Sequence, residues 1–399
     1  MKKSTTGVAP KDRLRVLEES RRSKMARSAH AYVRGNTLKF YEWLHAIPKH
    51  SLPEGPPIWI CGDCHVGNLG PVADADGHVE IEIRDLDQTV IGNPAHDPIR
   101  LGLSLATAVR GSDLPGVTTA RMIEQMVLGY SKALTAPHRQ PKLPKGEVRP
   151  IDRILQQALN RRWRNLAEER IEDVKPTIPL GRRFWALTPE ERAAIDKLFA
   201  SAEACAMVTN LNHADAAKIK VLDAAYWLKG CSSLGRLRFA VLLGIGRKSD
   251  RSYSLIDIKE AVKAAAPSTK HIDAKEDFAV RVVTGARALS PYLGERMLAA
   301  TLLRRPVVVR ELAPQDLKLE IDRLTRDEAV VAAEYLAAVV GKAHARQMDA
   351  ATCKNWRAEL NRSRSKNLEA PSWMWKAVVE LVASHEAAYL EHCRRYALA

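Results

Sequence analysis

Cysteine is scarce in this 399-residue chain, which has six: Cys61, Cys64, Cys205, Cys231, Cys353 and Cys393. That is too few for a disulfide scaffold of this length. Long apolar runs are missing as well. Nowhere do about 18 apolar residues follow one another, so no membrane span is expected. The opening stretch MKKSTTGVAPKDRLRVLEESRRSKMARS is basic but has no apolar core of signal-peptide length. Internal repeats and long low-complexity segments are absent too. Together these absences set the expectation of a cytoplasmic protein in a reducing compartment, with no membrane partner.

Basic residues are plentiful. Lys and Arg number 62 against 47 Asp and Glu, a formal charge of +15. Such an excess favours anionic partners (nucleotides, nucleic acid or acidic surfaces), although a solvated basic surface accounts for it equally. Hydrophobic residues at 46% and charged residues at 27% are ordinary for a globular protein.

Periodicity divides the chain. Residues 1–20 are assigned to a disordered N-terminus, with a helical stretch read from Arg13 to about Ala46. Residues 21–216 read as a mostly helical part with a helical insertion, entered by KMARSAHAYVRGNTLKFYEWL. Within it PIWICGD reads as a buried strand, and LGPVADADGHVEIEIRDLD as a hairpin turning at Asp76-Gly77. Thr188-Pro-Glu-Glu is a helix start, with Thr as cap and Pro at the first position. Residues 217–313 change to strand, glycine loop, strand, turn, strand, then a helix and the strand PVVVREL. Residues 314–399 are helical again.

The densest chemistry is CGDCHVGNLG, Cys61–Gly70. A zinc site needs four ligands, and no second CxxC or HxxxH pair exists. A redox dithiol belongs at a helix start, whereas Asp63 between these thiols raises their pKa. The third reading is a catalytic loop in which the cysteines are bystanders. Asp63 and Asn68 follow a buried strand, and Asp85 and Asp87 come after the hairpin. Phosphoryl transfer needs Mg²⁺ on oxygen ligands and a carboxylate to orient the acceptor hydroxyl. As a bland alternative, Asp63 and Asn68 are turn residues.

GDCHVGN followed by IRDLD resembles the catalytic and metal-binding motifs of the aminoglycoside phosphotransferase and choline kinase branch of the kinase-like superfamily. The resemblance implies Asp63 as catalytic base and Asn68 and Asp85 as Mg²⁺ ligands, with Asp87 as a further acidic contributor. Cys61 stands where that family has His.

The nucleotide half has no counterpart upstream of Asp63. It is found downstream. Gly230-Cys-Ser-Ser-Leu-Gly235, with Ser232 and Ser233, sits between apolar segments, where glycine lets backbone amides approach phosphates. Leu255-Ile-Asp-Ile-Lys259 then resembles the lysine strand of kinases. An acidic residue on the next helix is expected to pair with Lys259: Glu276 is preferred, with Glu260 and Glu320 as alternatives. Arg310 and Glu311 would lie near the adenine, contacting it through backbone groups. The helix ending in GKAHAR resembles the one that precedes the catalytic loop in small-molecule kinases, so the order looks circularly permuted.

The phrases KMARSAHAYVRG, WICGDCHVGNLG, HDPIRLGLSLA, GCSSLGRLRFAVLL, LIDIKEA and GKAHARQMD together resemble the bacterial family called domain of unknown function 2252. The implied fold is α+β, protein-kinase-like and two-lobed, with a mostly helical large lobe and a small antiparallel-sheet lobe. The implied activity is ATP- and Mg²⁺-dependent phosphoryl transfer to a small-molecule or protein hydroxyl. AMP transfer on the same fold is one alternative. A non-catalytic nucleotide- or nucleic-acid-binding protein is another, with nucleic acid not favoured.

Four further features are marked. Arg34 is open to contact with a phosphate or acidic acceptor, or to a structural salt bridge. Asp97 and Arg100 are spaced to pair and to brace the loop. His65 is read as holding the loop through a backbone carbonyl. NRRWRNLAEER, with Trp163 among arginines, reads as a solvated face rather than a nucleic-acid surface.

Overall fold

The structure is a computed structural model and describes residues 8–74, 76–110, 116–137, 139–143, 148–171, 177–209, 219–230, 234–247, 251–268, 277–317, 324–362 and 370–396. The fold is mixed α+β, and its sheets are antiparallel. No described helix is long and apolar enough to cross a membrane.

Three helices come first: α1 (Arg13–Met25), α2 (Ala29–Gly35) and α3 (Thr37–Ala46). The side chains of Ser28 and Asn36 cap α2 and α3 by accepting from the Ala31 and Lys39 amides. Disorder over residues 1–20 is not what the structure shows from Pro10 onward. Leu17 is buried, and Arg13 lies 2.7 Å from Glu191 with both side chains covered. Only one edge of α1 is apolar; its charged remainder hides that edge in the sequence.

Four short strands follow: β1 (Ile58–Ile60), β2 (Leu69–Ala73), β3 (Val79–Ile83) and β4 (Val90–Gly92). β1 pairs with β4, and β2 pairs with β3 as the expected hairpin, with Gly77 at φ 83°. Helices α4 (His96–Arg110), α5 (Gly116–Thr135), α6 (Arg149–Asn160) and α7 (Trp163–Ile171) come next. They are followed by β5 (Phe184–Trp185), α8 (Pro189–Leu198) and α9 (Ala202–Thr209). Thr188 and Glu191 form the capping box that starts α8.

The second sheet is built from β5, β6 (Ile219–Trp227), β7 (Arg238–Ile245) and β8 (Ser252–Glu260), and two later strands. After α10 (Phe278–Leu289) and α11 (Pro291–Gly294) come β9 (Met297–Leu302) and β10 (Arg305–Leu312). The order is β5-β6-β7-β8-β10-β9. β7 is buried along its whole length because both faces of the sheet are covered. Phe239, Val241 and Leu243 meet Leu17, Ile195 and Phe199 from α1 and the α8 region; Ala240 and Leu242 belong to the core of Leu166 and Ala167 from α7. The insertion that the sequence groups with the helical part therefore packs on this sheet.

β9 escapes the sequence pattern. Its hairpin turn is Leu303-Arg304, both at positive φ (51° and 61°), without the Gly or Asn that such a turn ordinarily uses. The chain ends in α12 (Arg326–Ala345), α13 (Ala350–Asn361) and α14 (Ser372–Tyr396). α12 and α5 pack backbone to backbone: a Cβ on Gly129 would fall 2.1 Å from the Glu334 carbonyl oxygen. α12 also carries Leu336, Val340 and Ala343 into the main helical core.

Candidate functional site

Asp63 lies in the loop after β1. A glycine is required just before it: Gly62 sits at φ 73°, and a Cβ there would fall 2.2 Å from the Gln88 carbonyl oxygen. Asp97, at the start of α4, accepts the Cys61 amide at 2.7 Å and the Gly62 amide at 3.0 Å. His344 from α12 approaches the same carboxylate with Nε2 at 3.0 Å, while its Nδ1 lies 2.7 Å from the Tyr130 hydroxyl. Trp356 Nε1 donates to that hydroxyl. The donors balance if Tyr130 donates to Nδ1 and His344 donates from Nε2 to Asp97. A helix 247 positions away thus fixes the start of the Asp63 loop.

The Asp63 carboxylate is held on both oxygens. Arg100 Nη2 lies 2.9 Å from Oδ1, and the Thr37 hydroxyl donates to Oδ2 at 2.9 Å. Burial pushes the carboxyl above its ordinary range, against the lowering effects of Arg100 and Thr37. The expected Asp97–Arg100 pair does not form. The two side chains leave α4 for different ends of the loop: Arg100 takes Asp63, and Asp97 takes the amides. His65 does not hold a carbonyl either. Its Nδ1 is buried without a partner among the described residues, and its Nε2 lies 3.9 Å from Asp63 Oδ2.

Asn68 closes the loop and joins it to the acidic segment. Its side-chain amide donates to the Asp63 carbonyl at 3.0 Å, and its own carbonyl accepts the Arg84 amide at 2.6 Å. Asp85 and Asp87 follow directly. Lys259 Nζ, at the end of β8, is ion-paired with Asp87 and lies 3.7 Å from Asp85 Oδ1. Crowding in the cleft acts to raise Asp85, but Lys259, Arg238 and Arg310 outweigh it and hold that carboxyl below its usual range. Asp87 moves the other way, raised by burial and by the charge of Asp85. The two carboxylates compete for one lysine.

Strand alternation puts Arg238, Asp257 and Lys259 on one face of the sheet, in register across β7 and β8. Arg238 and Asp257 form a buried ion pair, with Arg238 Nε donating at 2.9 Å. Arg310, in register with Asp257, donates to the Arg84 carbonyl at 2.9 Å and pairs with Asp316 at 2.8 Å. These residues and Asp85 and Asp87 line one cleft, floored by Val282, Leu293, Met297 and Val308. It encloses about 70 Å³, well short of the roughly 300 Å³ at which ligand pockets begin. A larger hollow of about 560 Å³ lies between α5 and α12, lined by Lys132, Arg139 and Glu334, and has none of these carboxylates.

Other expected residues are not brought here. Glu311 points to the opposite face, where it accepts from the Ser254 hydroxyl at 2.6 Å, as alternation from Arg310 demands. Glu260 accepts the Leu237 amide and pairs with Arg305, so it does not hold Lys259. Glu276 and Glu320 lie outside the described residues, as do Ser232 and Ser233. α10, the helix expected to bring an acid to Lys259, has no acidic residue from Phe278 to Leu289. It contributes Arg281 instead, which donates to the Asp87 and Val262 carbonyls and pins the acidic segment. Gly230 and Gly235 have positive φ, 89° and 96°, and both meet α1: Lys24 donates to the Gly230 carbonyl, and a Cβ on Gly235 would lie 3.3 Å from Leu14.

Arg238, Asp257, Arg84 and Arg281 were missed in sequence. Arg238 and Asp257 did leave a signal: Arg238 opens an otherwise apolar strand, and Asp257 interrupts the apolar run from Leu255 to Ile258. Cys61 and Cys64 are buried free thiols, and the hydrogen bond between them, with burial, pushes the Cys61 thiol well up. Among the described residues, the metal-capable cluster is Asp74, Asp76 and His78, away from CxxC. Trp163 stacks on Tyr253 with ring centroids 5.7 Å apart.

No curated protein and no solved structure matches this chain. Residues 13–395 match the family described as an uncharacterised protein conserved in bacteria, DUF2252, and the chain belongs to that family.

Proposed function

We propose that this chain is a Mg²⁺- and ATP-dependent phosphotransferase with a kinase-like, circularly permuted arrangement, acting on a small-molecule or protein hydroxyl. One observation carries the reading. Lys259 meets Asp85 and Asp87 in one cleft, beside a loop that presents Asp63. The sequence order separates these groups widely, and phosphoryl transfer needs all of them together.

The donors suit a hard cation. Asp85 and Asp87 share a positive group already, and no hydrogen bond reaches Asn68 Oδ1 among the described residues. Asn68, Asp85 and Asp87 would hold Mg²⁺, which supplies neutralisation of phosphate charge. Lys259, Arg238 and Arg310 draw the phosphates into the cleft. Lys259 exchanges its carboxylates for phosphate oxygens as the narrow cleft widens. Asp63 accepts the proton of the acceptor hydroxyl. The acceptor oxygen bonds to the γ-phosphorus, the bond to the bridging oxygen breaks, and ADP leaves. Arg100 and Thr37 keep Asp63 aimed and ionised.

Titration of ATP with Mg²⁺ or EDTA into wild type, Lys259→Ala and Asp85→Ala tests this. Mg²⁺-dependent binding, weakened at least tenfold by each change, is expected. Binding indifferent to both changes overturns the reading. ATP labelled at the γ- or α-phosphate then separates phosphoryl from AMP transfer.

A further inference from the structure

Beside the Asp63 loop stands a cation for which no anion is found among the described residues. Arg34, in the last turn of α2, is half-buried, and its Nε–H is covered and donates to nothing among the described residues. Among the described residues no carboxylate reaches its guanidinium, so the structural salt bridge considered for it is not found. The guanidinium lies against Gly67: a Cβ there would fall 2.8 Å from Arg34 Cζ and from Nη2. The absence of a side chain at Gly67 leaves room for this guanidinium beside the Asp63 loop.

A second unspent group lies in the same place. His65 is 4% exposed and its Nδ1 has no partner among the described residues, while its other nitrogen lies 3.9 Å from Asp63. Arg34 is close enough to His65 to act on it electrostatically. A half-desolvated arginine without an anion is costly, and guanidinium matches the planar, two-oxygen face of carboxylate or phosphate. Asp63 itself is satisfied by Arg100 and Thr37, so it leaves Arg34 unspent.

We infer that Arg34 binds the acceptor, and that the acceptor is a small anionic alcohol whose phosphate or carboxylate lies near the hydroxyl presented to Asp63. The inference rests on the phosphotransferase reading for its hydroxyl, but not for its anion. Arg34 is a specificity residue. It grips the acceptor's charge and leaves the nucleotide cleft untouched.

The test uses inorganic phosphate as the probe on the full chain, followed by its effect on melting temperature. Sodium acetate serves as the carboxylate arm, and chloride at equal ionic strength as the control. Four proteins are compared: wild type, Arg34→Ala, Gly67→Ala and Lys259→Met. Gly67→Ala displaces only the far end of a flexible side chain, so it moves the guanidinium with little risk to folding. The expected result is stabilisation by phosphate or acetate in wild type, lost in Arg34→Ala and in Gly67→Ala, and retained in Lys259→Met. Arg34→Lys is expected to retain part of it. Loss in Lys259→Met alone would place the anion in the cleft and overturn the inference, as would no stabilisation of wild type. Mg·ATP binding measured on the same proteins is the separate readout. If it persists in Arg34→Ala while the anion effect disappears, both readings stand. If wild type binds no Mg·ATP yet shows the Arg34-dependent effect, the phosphotransferase reading falls and the anion site remains.

Discussion

Lys259, the penultimate residue of β8, is ion-paired with Asp87, in the segment that follows β3. Their side chains are 12% and 24% exposed, so the pair is largely out of water. Breaking a covered pair leaves one charge unmatched, which costs more than removing both. Lys259→Met and Asp87→Asn are each expected to lower the melting temperature. The double variant should melt above the sum of the two losses, with a coupling of about 0.5–3 kcal/mol. Additive shifts would mean that the pair contributes nothing to the fold.

Asp63 gives a pH dependence of definite sign. A base works only when ionised, and burial raises this carboxyl above the ordinary carboxylate range. Activity is therefore expected to be lost as pH falls through that raised value, with an acid limb above the roughly pH 4 of an unperturbed aspartate. Arg100 opposes the rise. Arg100→Gln should shift the limb of kcat/KM further up in pH. A limb that stays put in Arg100→Gln, with kcat alone reduced, would remove Asp63 from the role of titrating base.

The parts of this architecture written in local pattern are the parts the sequence shows. β6, β7 and β8 alternate or run apolar between turn residues, and Thr188 and Asp76-Gly77 announce their elements chemically. α1 is legible as the start of the helical stretch at Arg13, but its docking is not: Arg13 buries its charge on Glu191, while most of the helix faces solvent. The site divides along the same line. Asp63, Asn68, Asp85 and Lys259 carry motif spacing. The partner of Lys259 does not: a helix acid was expected, and the lysine takes the acidic segment itself. Pairings between residues so far apart in sequence are set by how the sheet docks on the helices, and no spacing encodes that. Along β10 the side chains alternate, so Arg310 faces the cleft and Glu311 faces away from it, which leaves the Glu311 contribution expected there to its backbone groups.

Asp97 carries the last prediction, and it concerns the link between α12 and the Asp63 loop. Its carboxylate serves the Cys61 and Gly62 amides and faces His344, all of them buried. Asp97→Ala leaves two covered N–H groups unmade, at about 1–3 kcal/mol each. His344→Ala leaves those amides bonded and removes only the outer support. Hydrogen–deuterium exchange of peptides covering residues 58–66 should therefore rise strongly in Asp97→Ala and modestly in His344→Ala. Peptides from β7, in a separate core, should exchange as in wild type. Equal acceleration everywhere would show global unfolding rather than release of this loop. Unchanged exchange at 58–66 in Asp97→Ala would mean that the backbone turn at Gly62 holds Asp63 in place without α4.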